Sequence, residues 1–187
     1  DVLKAAQRLA HEPVKLGCCS VQWIEMYADN QHYKSREDTL MAMSEVLNVE
    51  HQELAKAGCP IIQIEEPAIH FNGSEDLGIS QEVYVEAFNK EVKGIQEITE
   101  VWCHTCWGNP FAQKIEVGPT YKACLDYLDQ LNVDVITFET AANDGEEFAD
   151  IAAGISKDKK ICIGGVYHRT LEVEKPEEVA ALIRKAL

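Results

Sequence analysis

The stretch VWCHTCWGN (residues 101–109) places a histidine and two cysteines within four consecutive positions. In an extended strand side chains alternate, so His104 and Cys106 share one face while Cys103 and Thr105 share the other. Imidazole and thiolate are zinc donors, and two of them side by side, just before a Gly-Asn-Pro break, are well placed to chelate that ion. Spacing alone gives a modest signal. H-x-C lacks the paired hooks of a structural zinc site, and a core histidine satisfied by hydrogen bonds is the commoner outcome. The same residues also read as C-x-x-C, Cys103 to Cys106. A strand would hold those sulfurs on opposite faces, however, and redox pairs sit at a helix start where the thiolate is stabilised. The metal reading therefore stands ahead of the redox one.

Three further segments carry reactive groups. Glu139 closes the apolar run DVITFET, where burying a carboxylate without a partner would be costly. It can be a zinc ligand, a general base or a strand-end residue reaching solvent, and the H-x-C pair on the preceding run favours the metal role. In IIQIEEPA, alternation sends Gln63 and Glu65 to one face and Glu66 to the other, before Pro67 ends the pairing. Inward carboxylates there could bind an ammonium group or accept a proton; the plainer outcome is one solvated acid and one helix-end contact. In GGVYHRT, Gly164 and Gly165 let backbone or ligand approach closely. His168 could then donate a proton or a hydrogen bond, or simply be exposed.

These groups need a scaffold. Five apolar runs recur, at 14–22, 60–67, 100–106, 133–140 and 160–167, and their Val, Ile, Cys and aromatic content suits strands of a buried parallel sheet. Helical patterns lie between them. Leu40, Met43, Leu47 and Leu54 fall on one side of a helix that stops at Gly58. Tyr121, Leu125, Leu128 and Leu131 recur likewise, and KPEEVAALIRKAL puts Pro176 in a first turn with acids after it. Alternating strands and helices imply right-handed crossovers and an α/β fold. Residues 1–187 read as a single domain without linker or repeat. The loops 71–80 and 107–119 follow strand ends, where such folds build their sites.

Composition sets the outer limits. A hydrophobic share of 46% supports a packed core rather than disorder. A formal charge of −15 repels phosphate backbones and anionic lipid, so nucleic acid and membrane surfaces are not expected partners. No apolar stretch approaches the ~20 residues that span a bilayer. Seven cysteines, an odd number without disulfide rhythm, suit a reducing compartment, and the cytoplasm is the expected location.

In this order the motifs resemble the catalytic barrel of cobalamin-independent methionine synthase. AGCPIIQIEEPAI is similar to that family's A-G-x-x-x-I-Q-I-D-E-P-A-L strand, CHTC to its H-x-C zinc motif and DVITFET to its D-V-I-T-x-E-T strand. GGVYHRT with the following KPEEVAALIRKA is similar to its G-x-G-V-Y-D segment and next helix. HTCWG is closer to the shorter single-barrel members, which include epoxyalkane:coenzyme M transferase. The resemblance implies a (β/α)₈ barrel of the methionine synthase/uroporphyrinogen decarboxylase type, of which this chain covers about strands three to seven. Uncovered sheet edges would then call for further chain or a homo-oligomer.

It further implies Zn²⁺ held by His104, Cys106 and Glu139, with a fourth ligand, a cysteine, expected beyond Leu187. The implied reaction moves a methyl group from 5-methyltetrahydrofolate to homocysteine. Glu65, with Gln63 and Glu66, would orient the acceptor, His168 would supply a proton, and Trp107 would stack on a pterin or pack at the barrel mouth. Two departures bear on the acceptor. Glu65 is one methylene longer than the family's Asp, and His168 directly follows Tyr167. An epoxide-opening alkyltransferase using another thiol, or a barrel retaining zinc or folate binding without turnover, are the alternatives.

Overall fold

The structure, a computed structural model, describes residues 2–66, 68–71, 78–108 and 120–187. Five strands form one sheet: β1 (Lys15–Cys19), β2 (Ile61–Glu65), β3 (Glu100–His104), β4 (Val135–Glu139) and β5 (Lys160–Gly164). All neighbours pair in parallel and their order is β1-β2-β3-β4-β5. Among the described residues the order never reverses, so their sheet has no switch point of the doubly wound kind and forms an arc of a barrel.

Each strand is shorter than its apolar run. Ser20 is where β1 gives way: its hydroxyl accepts the Trp23 N–H at 3.2 Å and caps α2 (Val21–Tyr27), which begins inside the first run. The long α3 (Arg36–Lys56) starts the same way at Ser35, has Glu37 and Asp38 in its first turn, and ends before Gly58 at φ +87°. α1 (Val2–Leu9) precedes β1, α4 (Ala68–Phe71) and α5 (Gln81–Glu91) follow β2, α6 (Leu125–Asp129) follows β3, and α7 (Phe148–Gly154) follows β4. α8 (Pro176–Ala186) closes the order, with Glu177 and Glu178 near its start and Arg184 and Lys185 near its end. The Tyr121–Leu131 pattern is helical only from Leu125; Tyr121 lies in the turn before it. Most of the expected loops, 72–77 and 109–119, together with Pro67, lie outside the described residues.

One sheet face makes the core. Ile62, Ile64, Val101, Cys103, Ile136 and Phe138 are buried beneath helical residues such as Leu40, Tyr84, Phe88 and Leu128. The helical layer is tied by a buried carboxylate: Glu91 of α5 accepts the Val21 N–H at 2.9 Å and lies 2.9 Å from His51 Nε2 on α3. Among the described residues no helix is long and apolar enough to cross a membrane.

The other face is polar and half-buried. Register alignment places Cys19, Glu65, His104, Thr137 and Cys162 in one row across all five strands. Because parallel neighbours lie about 4.8 Å apart, side chains of this row meet across the sheet near its carboxyl edge.

Candidate functional site

A cavity of about 470 Å³ opens at the carboxyl ends of β3, β4 and β5, lined by His104, Cys106, Thr137, Glu139, Cys162 and His168 among others. The alternation expected of CHTC holds beyond the end of β3. The Thr105 N–H still bonds Thr137 O at 3.2 Å, Cys103 is fully buried away from the cavity, and His104 and Cys106 line it, with the fully buried Thr105 between them also on its wall. The two cysteines of C-x-x-C therefore point to opposite faces, and both are free thiols.

His104 is held on two sides. Its Nδ1 lies 3.0 Å from Thr137 Oγ1 and its Nε2 lies 3.6 Å from Glu65 Oε2. Burial pushes the imidazole below its ordinary range, while the Glu65 carboxylate pulls it back up. Glu65 also accepts Gln63 Nε2 at 2.6 Å, and Gln63 accepts Lys15 Nζ at 2.6 Å. A polar chain thus runs from β1 to His104 and on to Thr137.

Burial pushes the Cys106 thiol up, although the Gly108 N–H and the Arg169 charge both oppose the shift. Such a thiol stays protonated near neutral pH unless a cation joins it. Glu139 is firmly engaged. Its Oε2 accepts the Trp107 N–H at 3.0 Å and Arg169 Nη2 at 2.6 Å, and its Oε1 meets Arg169 Nη1. Its own N–H donates to the Tyr121 hydroxyl at 3.1 Å.

Zinc fits these residues by donor type: one imidazole, one thiol and one carboxylate face a single cavity. Convergence is incomplete. Among the described residues no three His, Cys, Asp or Glu side chains gather closely enough to hold an ion. The Glu139 carboxylate is instead clasped by Arg169, and His104 Nε2 lies beside Glu65.

The remaining sequence candidates are distributed differently. Gln63 and His168 line the cavity, with Glu65 beside His104. Glu66 is 1% exposed and faces the helices, where its carboxylate accepts the N–H groups of Ala68 at 2.9 Å and Ile69 at 3.1 Å. The structure does not bring it to the cavity. Trp107 is buried with its ring 4.9 Å from His70 and 5.0 Å from Tyr121, the packed arrangement rather than an open stacking platform. Behind it, His70 Nε2 donates to Cys106 O at 2.6 Å.

Thr137, Cys162, Arg169 and Tyr121 are site residues that sequence reasoning did not single out. Parity alone would have found two of them. Thr137 shares the face of Glu139, and Cys162 shares that of Gly164.

Five parallel strands in consecutive order, with ligand-type side chains gathered at their carboxyl ends, define a (β/α)₈-barrel site represented over part of its circumference. The chain belongs to the cobalamin-independent synthase family, whose catalytic-domain model matches residues 5–187. It is 31% identical over 169 residues to a methionine synthase of Sulfurisphaera tokodaii, covering 90% of this chain and 44% of that protein. It is 29% identical over 181 residues to a methionine synthase of Thermococcus kodakarensis, covering 97% and 48%. Among solved structures, a B12-independent methionine synthase from Shewanella sp. W3-18-1 in complex with selenomethionine aligns with a TM-score of 0.77 at 26% identity. That alignment covers 99% of this chain and 54% of the other. The chain thus spans less than half the length of these two curated relatives.

Proposed function

We propose that this chain forms part of a zinc-dependent methyltransferase that moves the methyl group of 5-methyltetrahydrofolate to the sulfur of homocysteine, in methionine biosynthesis. One observation carries the reading: His104, Cys106 and Glu139, from two adjacent strands and their ends, line one cavity at the sheet's carboxyl edge. Family membership supports it. His104 and Cys106 would hold the ion with Glu139, and a fourth donor would come from outside these three. When bound, zinc keeps a coordinated thiol deprotonated at neutral pH and leaves it a two-electron nucleophile.

The chain's own residues supply the rest. Thr137 fixes the His104 ring. Gln63 and Glu65 present polar atoms to the acceptor's charged end. The folate nitrogen that loses the methyl group is a poor leaving group and needs a proton, and His168 at the cavity wall is the proposed donor. Trp107 backs the site by packing.

A second acceptor is favoured by one feature. Glu65 is already engaged by Gln63 and stands beside His104, so its carboxylate is only partly available to an amino group. An epoxide-opening transferase with a thiol such as coenzyme M would not require that contact. Assays of thiol consumption with methylfolate and with epoxides separate the two.

The decisive experiment is metal analysis of the full-length protein beside Cys106→Ser. About one zinc per site is expected, with activity lost in a variant that keeps its fold. Folded protein that contains no zinc and gains no activity on zinc addition would reject the proposal.

A further inference from the structure

Of the three proposed donors, Glu139 is the most heavily occupied. Its side chain is 7% exposed and that of Arg169 only 2%, and the guanidinium engages both carboxylate oxygens. The same guanidinium donates through Nε and Nη2 to Gly108 O, at 3.0 and 2.5 Å. One side chain from the segment after β5 therefore fastens the end of β4 to the segment after β3. Arginine keeps its charge at any ordinary pH, so this pair is not opened by titration. A competing cation can open it.

We propose that Arg169 is an internal counter-ion which a divalent metal must displace from Glu139, and that it thereby sets the zinc affinity of this site. The inference rests on Glu139 being a metal ligand, as in the proposed function. The carboxylate has lone pairs for about four bonds. Oε1 already meets Nη1, and Oε2 receives both Nη2 and the Trp107 N–H. A zinc ion on either oxygen would stand close to the guanidinium in a poorly solvated pocket, where two cations repel strongly. Separating a buried, bidentate pair is itself costly and subtracts from the affinity the donors would otherwise give. Removing the guanidinium also leaves Glu139 buried without its counter-ion, which a metal would relieve. Both effects act in one direction.

The contrary arrangement predicts the opposite sign. If Arg169 stays on Glu139 as an outer partner that orients the ligand, its removal weakens metal binding. Zinc dissociation constants of the full-length protein, measured by competition with a chromogenic chelator, decide between them. Arg169→Leu should bind zinc at least about tenfold more tightly than wild type, with Arg169→Lys between the two. Unchanged or weaker binding in Arg169→Leu overturns the proposal.

A measurement on the wild type guards against a misfolded variant. Zinc should accelerate phenylglyoxal labelling of Arg169, read by peptide mass spectrometry, because displacement exposes the guanidinium. Unchanged or slower labelling overturns the proposal as well. Glu139→Gln separates the two levels. If it weakens zinc binding while Arg169→Leu changes nothing, only this inference fails. If it leaves zinc binding intact, the ligand assignment of Glu139 fails and takes the inference with it.

Discussion

Thr137 Oγ1 lies 3.0 Å from His104 Nδ1, and the two residues are register partners on neighbouring strands. Were Nε2 to bind the proposed zinc, Nδ1–H would be the atom left to donate, and the threonine hydroxyl is placed to accept it. Partners of this kind fix the tautomer and the ring orientation of a metal-binding histidine. Thr137→Val keeps the shape and removes the acceptor. It should weaken zinc binding by about 10- to 100-fold, with Thr137→Ser restoring most of the loss. Equal zinc affinity in the valine variant would show that the hydroxyl does not orient the ring.

Tyr121 supports Glu139 through the backbone. Its hydroxyl accepts the Glu139 N–H at 3.1 Å, while its ring lies 5.0 Å from that of Trp107 and 4.9 Å, edge-on, from that of Phe138. Tyr121→Phe retains the packing and leaves a part-buried N–H without this acceptor. The expected loss is about 1–3 kcal/mol of folding stability, measured by urea unfolding. A phenylalanine variant as stable as the wild type would mean that this amide finds another acceptor.

Strand periodicity made the scaffold and half of the site readable from sequence. The five apolar runs contain all five strands, and the two-residue repeat assigns His104 and Cys106 to the cavity and Cys103 to the core. What periodicity cannot express is where a chain turns. Val21 reads as strand because it is apolar, yet Ser20 accepts an N–H and starts a helix there. Glu66 reads as one more acid near a site, yet it faces the helices and satisfies the first N–H groups of α4. Arg169 was least legible. Its pairing with Glu139 joins residues 30 positions apart through the path of a loop, which no local pattern encodes.

Gly164 tests how tightly β5 must approach β4 beside the site. A Cβ at this position would stand 3.1 Å from Phe138 O and 3.4 Å from Glu139 Cα. Gly164→Ala must therefore move the strands apart by a few tenths of an ångström, next to the carboxylate that Arg169 holds. The expected cost is about 1–3 kcal/mol in stability, together with weaker zinc binding. Unaltered stability would show that the strand ends yield without strain.

Glu66 and His70 make stability depend on pH in a way that identifies each. Both are almost fully buried, with His70 Nδ1 4.0 Å from Glu66 Oε2. Burial pushes the Glu66 carboxyl up from 4.5 to about 8, although the backbone N–H groups of Ile69 and Ala68 pull against it. Burial pushes the His70 imidazole down from 6.5 to about 4. For Glu66 the folded state binds the extra proton, so its contribution is complete below 4.5 and is lost as the pH rises to about 8. For His70 the unfolded state binds the extra proton, so its contribution is complete above 6.5 and is lost as the pH falls to about 4.

Between 4.5 and 6.5 the two slopes oppose each other and nearly cancel. From 6.5 to 8 only the Glu66 slope remains, and stability should decline on the order of 1 kcal/mol per pH unit. Glu66→Gln should flatten that decline. It should also uncover the His70 limb, so that the variant loses stability as the pH drops from 6.5. Urea unfolding across this range reads both limbs. A wild type that gains stability between 6.5 and 8, or a glutamine variant with an unchanged slope, would show that Glu66 is ionised where it stands.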